Sequence, residues 1–582
     1  MDDSKTKNNK INSLKDLVIT ALNNHKEGNI KLAESLYKEV IAAGALNSQV
    51  LSNYGLICSN TGRINEAIEL YKKSIEYFPT NSEAYFYLAL IMNEKGKAEH
   101  AEELLLKAID LKPDYLDALY NLSKLYQEAG KNELAYQNAN KVITMNPNFD
   151  KAYVVIGNIY KENGDYKKAR DAFLKAIKLN DTSAATYLNI GSVYKELRDI
   201  KEAEKNTKKA IKLKKNYSDA HYNLAGILIQ SGNLEEAKNH LQKAITYQKN
   251  RFDAYFILST LKDTPEKNIL TEELMNTNPE QLKIIKQKIN YYFTLANVMH
   301  RKKEYKKASI YLDKANNTKL KCYPSEAKEV IKTSIFCYEL SKKLIPIKEN
   351  LSKSSQRIFI VGMPRSGSTL LESILGMNED VYNLGETGIM QRAANKWAKR
   401  KQKKEDANLE EIYEHEILEI SLTTQKITTD KQLFNYAYTG LILNKIPSSL
   451  IINCTRNPLD NILSIYKANF SKGHKYSSSL NDCADIYLNK ENLMNQYKKK
   501  YKSKIYDFNY DAVVLNPEKE IKKLIDWLGY KWENFYLTPH LTKRQISTAS
   551  KVQARYPINR NSFEGWKNYK DLLKPVINKL GL

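Results

Sequence analysis

The densest chemistry in the chain lies in one short stretch, Gly362-Met363-Pro364-Arg365-Ser366-Gly367-Ser368-Thr369. Before it, Ile358-Phe359-Ile360-Val361 is an unbroken apolar run suited to a buried parallel strand. After it, Leu370 to Leu375 continue as an amphipathic helix. Strand, glycine loop and helix in that order present backbone N–H groups at a helix N-terminus, where an anion binds well. The spacing is that of a Walker A loop, except that Ser368 stands where the phosphate-reaching lysine belongs. Arg365 supplies a cation earlier in the loop instead, which argues against an ordinary ATPase or kinase. A plain glycine turn has no use for Pro, Arg, Ser and Thr together, so the stretch is read as an anion cradle.

Pro364-Arg365-Ser366-Gly367-Ser368-Thr369-Leu370 resembles the 5′-phosphosulfate loop of sulfotransferases, and further segments resemble that family in its own order. The resemblance implies 3′-phosphoadenosine 5′-phosphosulfate as donor, adenosine 3′,5′-bisphosphate as product and no metal. It assigns Pro364, Arg365, Ser366, Gly367, Ser368 and Thr369 to the donor's 5′ end. Leu450 to Arg456 reads as a strand, Asn457-Pro458 as a turn and helix start, and Ser464 follows Arg456 by eight residues. In the family that Arg and Ser hold the 3′-phosphate, and a guanidinium fork beside a hydroxyl suits a phosphate dianion. Leu384-Gly385-Glu386 resembles the Gly-Glu motif of tyrosylprotein sulfotransferases and their bacterial relatives, which implies that Glu386 takes the acceptor proton. His474 is the rival base, as in cytosolic small-molecule sulfotransferases, although it reads more readily as a surface-loop histidine.

Thr429-Asp430-Lys431, with Asn435 and Gly440 after it, resembles the family's Asp-Lys motif, so Lys431 is expected to steady the sulfuryl group and leaving oxygen. Leu433 occupies a place where the family often has Pro. The segment Ser547 to Pro557 resembles the one that closes over the donor, implying a transition-state hydroxyl at Ser550 and a donor contact at Arg555. Gly565 stands before Trp566 where relatives carry Lys or Arg, and Lys567 is the candidate substitute. Tyr510 is expected either against the nucleotide or as a core tyrosine at a strand end.

The elements that must position these groups follow from the pattern. The resemblance covers Arg357 to Tyr569 and implies an α/β, P-loop-like domain, a parallel sheet flanked by helices with the ligand crevice at the strand ends. The first half has a different signature. Small residues recur every 34 positions at Ala33, Ala67, Ala101, Ala135, Ala169, Ala203 and Ala237. Twelve before each stands another, Ala21, Gly55, Ala89, Ser123, Gly157, Gly191 and Ala225. Between them come Gly28, Gly62, Gly96, Gly130, Gly164 and Gly232, with Arg198 the exception. Paired helices that approach at small residues and turn at a glycine explain all three series. The array resembles the tetratricopeptide repeat, which implies an α-solenoid superhelix. The expected boundaries are 1–262 for the array, 263–356 for a helical connector with one degenerate unit around Ala296 and Ala308, and 357–582 for the sulfotransferase domain. In this repeat family the position two before the first small residue faces the groove. Here it carries Asn53, Tyr87, Asn121, Val155, Asn189 and Asn223, and an Asn row can hydrogen-bond an extended peptide.

Composition frames these readings. The chain has 582 residues, too many for one ordinary domain, with the 42% hydrophobic content of a folded protein. Its net charge of +24 attracts polyanions. Only 13 of the 91 basic residues are Arg, however, and no nucleic-acid motif accompanies them, so nucleic acid is not the expected partner. The five cysteines form neither a CxxC nor a Cys/His cluster, which speaks against a disulfide framework and a zinc site. Residues Met1 to Lys10 lack the apolar core of a signal peptide and no run reaches 18 apolar residues, so a cytoplasmic protein without a membrane span is expected. The combined reading is a sulfotransferase acting on a protein tyrosine or another polymer presented by the array. A repeat scaffold with a degenerate nucleotide-binding domain is the alternative.

Overall fold

A computed structural model describes residues 2–261, 272, 274–344, 356–420, 426–470, 473–542, 544, 546, 548 and 550–582. The chain divides into two compact units, 1–215 and 216–582. Among the described residues no helix is long and apolar enough to cross a membrane.

The first unit is a run of helix hairpins: α1 (Asp2–Lys26) with α2 (Ile30–Ala42), α3 (Ser48–Asn60) with α4 (Ile64–Tyr77), α5 (Ser82–Glu94) with α6 (Ala98–Leu111), α7 (Leu116–Glu128) with α8 (Asn132–Met145), α9 (Asp150–Glu162) with α10 (Tyr166–Leu179), and α11 (Ala184–Glu196) with α12 (Ile200–Leu213). The repeated small residues explain the pairing. A Cβ on Gly55 would lie 2.7 Å from the Tyr71 ring, and one on Gly157 would lie 2.7 Å from the Phe173 ring. Each glycine therefore lets an aromatic of the partner helix fill the space a side chain would take. The inter-helix turns need a left-handed residue, and Gly62, Gly96, Gly130 and Gly164 supply it at φ between 73° and 80°. Arg198 adopts the same conformation at φ 64°.

In the row expected to face the groove, Asn53, Tyr87, Asn121, Asn189 and Asn223 are half-buried and Val155 is buried, and three of the amides are engaged within the chain. Asn53 donates to the Tyr37 hydroxyl at 3.3 Å, Asn121 to its own helix at Asp117 O, 2.8 Å away, and Asn189 accepts from Lys161 at 3.3 Å.

The second unit opens with α13 (Ser218–Ser231), α14 (Leu234–Tyr247), α15 (Phe252–Thr260), α16 (Ile285–Arg301), α17 (Tyr305–Cys322) and α18 (Ala327–Lys342). Helices α13 to α15, inside the expected array, thus belong to the same compact unit as the sheet. Ala296 and Ala308 of the degenerate unit are buried in the α16–α17 hairpin, whose turn places Lys303 at φ 60°. Most of the stretch expected as irregular helices, 262–271 and 273, and the end of the connector, 345–355, lie outside the described residues.

Five parallel strands follow: β1 (Gln356–Gly362), β2 (Val381–Gly385), β3 (Ile427–Asp430), β4 (Ser449–Thr455) and β5 (Ile505–Asn509), in the order β2-β3-β1-β4-β5. The helices among and after them are α19 (Ser368–Leu375), α20 (Ile389–Gln402), α21 (Leu409–Ile420), α22 (Thr439–Lys445), α23 (Pro458–Tyr466), α24 (Leu480–Lys500), α25 (Tyr510–Leu515), α26 (Pro517–Leu528) and α27 (Lys570–Leu580). Strand β1 is apolar on both faces because each face has its own core. Ile358 and Ile360 pack with Leu371, Ile374, Ile521 and Ile525, while Phe359 and Val361 pack with Met390, Tyr413, Ile442 and Tyr497. From β1 the chain crosses to β2 at one edge, returns to β3 beside β1, and then crosses β1 to reach β4, so the winding reverses at the centre of the sheet, where a crevice is expected at the carboxyl ends of the strands.

The left-handed conformation costs a residue with a Cβ about 1 kcal/mol. Arg198→Gly is therefore expected to raise, and Gly130→Ala to lower, the array's unfolding free energy by about 1 kcal/mol each, read from urea unfolding of the full chain.

Candidate active site

The anion cradle forms at the end of β1. Gly362 has φ 147°, and a Cβ there would lie 2.7 Å from Cys454 O of β4. Gly367, the N-cap of α19 at φ 94°, would place a Cβ 2.5 Å from the Tyr510 ring. Only glycine fits either place, so the loop runs directly against β4 and α25. Asn461 of α23 holds the loop by donating to Pro364 O at 2.9 Å. Ser366 turns inward to Met363 O at 2.7 Å, and Thr369 Oγ1 meets Thr548 Oγ1 at 3.1 Å. Arg365 itself is left-handed at φ 67°, a strained backbone at the centre of the loop.

Three cations meet beside this loop. Arg365 donates through Nε to Ser464 Oγ at 3.1 Å and through Nη1 to Ser550 Oγ. Arg456 donates to Arg365 O at 3.0 Å and Ser562 O at 2.7 Å, and its guanidinium lies 4.9 Å from the Tyr510 ring centre. Its Nε is buried without a partner. Lys467, just beyond α23, reaches over the Tyr569 ring at 5.3 Å. Burial and the charge of Arg456 lower Arg365 to about 10. Burial, then Arg365 and Arg456, lower Lys467 to about 8, with Asp460 opposing. Guanidinium and ammonium groups set this close, with hydroxyls, carbonyls and rings as neighbours, form a site for an anion carrying more than one charge.

A second cluster lies at the ends of β2 and β3. The pairing of these strands shifts register between Asn383 and Gly385, and the chain leaves the sheet at Glu386. Lys431 follows β3, fully buried, and donates to Glu386 Oε1 at 2.8 Å while pairing with Glu372 Oε2 of α19 at 3.3 Å. Burial opposes its charge, but Glu372 and Glu386 overcome that and hold the ammonium above the ordinary lysine range. Asp430 turns away from it. Its carboxylate accepts from Gln432 N, Asn435 Nδ2 and Tyr413 OH, and burial raises it to about 6.

Both clusters open on one cavity of about 1630 Å³. Pro364, Arg365, Gly367, Ser368, Thr369, Glu386, Arg456, Ser464, Tyr510 and Ser550 line it, together with Lys467, Asp460 and Gly565. Its far wall is made by helices α13, α15 and α16 through Tyr222, Phe256, Ile257, Asn297 and His300.

Residues 357–534 match the family model described as sulfotransferase family. Tetratricopeptide-repeat models match 61–122, 116–149, 157–197 and 194–258. The chain joins tetratricopeptide repeats to a sulfotransferase-family domain. It is 31% identical over 346 residues to an uncharacterized protein of Aquifex aeolicus, a match covering 55% of this chain. The chain spans less than half of that curated relative, 44% of its length. Similar solved structures include a tetratricopeptide repeat protein from Parabacteroides merdae, with 19% identity over 42% of this chain and 98% of that one at a TM-score of 0.36. A thermophilic one from Thermus thermophilus has 22% identity over 31% of this chain and 97% of that one, at a TM-score of 0.28.

Several expected members of the sulfotransferase-family domain's site sit elsewhere than their motifs imply. Arg555 does not line the cavity: its guanidinium is taken up by the backbone carbonyls of Gln230, Thr542 and Arg544. Ser366 turns into the loop. Lys431 lies behind Glu386 rather than on the cavity surface. His474 is not a surface-loop residue; it is half-buried against Phe434, Phe470 and Tyr476 and lines the cavity. Burial lowers its pKa, with Glu386 and Glu326 opposing. Lys567 pairs with Glu564 at 2.6 Å and does not reach the cavity. Tyr510 is a cavity residue, its ring under Arg456 and its hydroxyl 3.1 Å from Ser562 Oγ. Asn223 lies on α13 beside Tyr222, which lines the wall where Asn223 does not. Lys467 and Glu372 were not anticipated. Lys467 follows Ser464 by three residues, one helical turn along the same face, and that spacing could have pointed to it.

Lys431→Met removes the buried ammonium that Glu372 and Glu386 share. Urea unfolding of the full chain is expected to show a loss of about 3 kcal/mol in the sulfotransferase-family domain.

Proposed function

We propose that this chain transfers a sulfuryl group from 3′-phosphoadenosine 5′-phosphosulfate to the hydroxyl of a protein tyrosine or another polymer presented by its repeat helices. The observation that carries the reading is the convergence of Arg365, Arg456 and Lys467 on one side of a cavity whose other side holds Glu386 backed by Lys431. The donor fits the residues present: a glycine cradle with no room for a Cβ, an unpartnered buried guanidinium nitrogen, and the side chains of Arg365 and Lys467, whose proton affinities are lowered by burial and by neighbouring cations. The donor supplies a sulfuryl group on a phosphate that departs with its electron pair.

The protein's part is positional and electrostatic. Arg365 and the N-terminus of α19 hold the 5′ end, while Arg456, Lys467 and Ser464 hold the 3′-phosphate. Glu386 Oε1 accepts from Lys431, which leaves Oε2 for the proton of the acceptor hydroxyl. Ser550 faces the charge that develops on the leaving oxygen, and Lys431 acts from behind through Glu386. Lys467 takes the place of the cation missing before Trp566.

Labelled-sulfate transfer from the donor into lysate of the source organism tests the reading. The wild-type chain is expected to label a macromolecular band. Glu386→Gln is expected to slow labelling by about a hundredfold or more while still binding adenosine 3′,5′-bisphosphate. Arg456→Ala is expected to lose that binding. Full transfer by both variants would overturn the assignment.

The lowered pKa of Lys467 gives a second test. The lysine is protonated below about 8 and binds the bisphosphate as a cation. As pH rises through that value the charge is lost, so affinity falls by up to about tenfold per lost ionic contact. Calorimetry between pH 7 and 9.5 is expected to show this fall in the wild type, and to show a weaker but flat affinity in Lys467→Gln.

A further inference from the structure

Arg555 gives up the donor contact its motif implies and makes a different connection. Nη1 donates to Thr542 O at 2.5 Å, and Nη2 donates to Arg544 O at 2.8 Å and to Gln230 O. Gln230 lies in the last turn of α13, a helix inside the repeat-matched region 194–258. The free carbonyls of a helix C-terminus carry the negative end of its dipole, so a guanidinium is well placed there. The contact is close-packed as well: a Cβ on Gly232, the left-handed cap of α13, would lie 3.4 Å from Arg555 Cδ.

The other end of the connection is the phosphate loop. Ala554 N donates to Ser550 O at 3.0 Å, so Ser550 and Arg555 belong to one tight turn. Ser550 N donates to Thr548 Oγ1 at 3.2 Å, Thr548 meets Thr369, and Ser550 Oγ accepts from Arg365. The carbonyl contacts of Arg555 and the backbone turn from Ser550 to Arg555 therefore connect the end of α13 to both residues that touch the loop.

We propose that Arg555 is a positioning residue that clamps the Ser550 turn to the C-terminal end of α13, making a repeat helix part of the donor site. The inference rests on the donor reading given above. It explains why the arginine is surrounded by carbonyls rather than facing the cavity, and why Gln230 itself lines that cavity. Lysine cannot replace it, because one ammonium does not reproduce the planar fork that spans three carbonyls.

Calorimetry of the full chain with adenosine 3′,5′-bisphosphate tests this. Arg555→Lys and Arg555→Ala are expected to raise Kd about tenfold, as is Ser550→Ala. The double variant Arg555→Ala/Ser550→Ala is expected to bind no more weakly than either single variant, because both lose the same contact. Thermal unfolding of unliganded Arg555→Lys is expected to match the wild type, which separates positioning from loss of fold. Wild-type affinity in Arg555→Ala would overturn the proposal. Multiplying losses in the double variant would do so too, since Arg555 would then act on the ligand independently. A wild-type chain that does not bind the bisphosphate would overturn the donor reading itself.

Discussion

Like charges enclosed together are unstable unless something holds them or answers them. Burial and the charge of Arg456 lower the proton affinity of Arg365, burial and both arginines lower that of Lys467, and the protein around them supplies hydroxyls, carbonyls and aromatic faces. The architecture of the second unit reads as the means of keeping them there. Parallel strands bring the ends of β1 and β4 side by side, so a loop after one and a helix after the other converge. Gly362 and Gly367 remove the side chains that would hold the loop off its neighbours, and Asn461 ties it down. Strain at the Arg365 backbone is tolerated because the loop is fixed on every side. A polyanion that reaches this place relieves the repulsion, so the free energy stored in crowding is returned as affinity.

The second cluster follows the opposite rule. Lys431 is completely buried, yet its ammonium is stabilised because two carboxylates share it. A cation with two acids places negative charge on the far side of the cavity, away from the wall where Arg365, Arg456 and Lys467 meet. The two walls are set by adjacent strands, β1 with β4 on one side and β2 with β3 on the other.

Much of this was legible in the sequence because it rests on spacing along one element. The 34-residue period survives because each hairpin must repeat the same close approach and the same left-handed turn, and Arg198 shows the turn tolerating a side chain. The phosphate loop and the Arg456–Ser464 pair are local too, a strand end and the first turns of a helix. What escaped depends on contacts between distant segments. Glu372 lies on α19 and meets Lys431 across 59 positions of chain. Lys467 was visible only as one of many lysines until the fold placed it beside two arginines. The carbonyl partners of Arg555 were not legible because a motif records residue types and order, not whether a guanidinium points at a cavity or at carbonyls of a helix more than 300 residues away.

The division of the chain follows from the same long-range contacts. Sequence periodicity groups α13 to α15 with the repeats, since they obey the same local rules of pairing. Packing groups them with the sheet, since Tyr222, Phe256 and Ile257 face the cavity and the end of α13 receives Arg555. The two descriptions answer different questions: periodicity reports how a hairpin closes on itself, and packing reports what it was recruited to cover. A repeat hairpin offers one face to its neighbours in the array and leaves its groove-side face for other uses. In the second unit Tyr222 and Gln230 of α13 with Phe256 and Ile257 of α15 form a wall of the cavity. The repeats therefore contribute surface directly to the site where Glu386 and the cations meet, rather than acting only as a tether beside it.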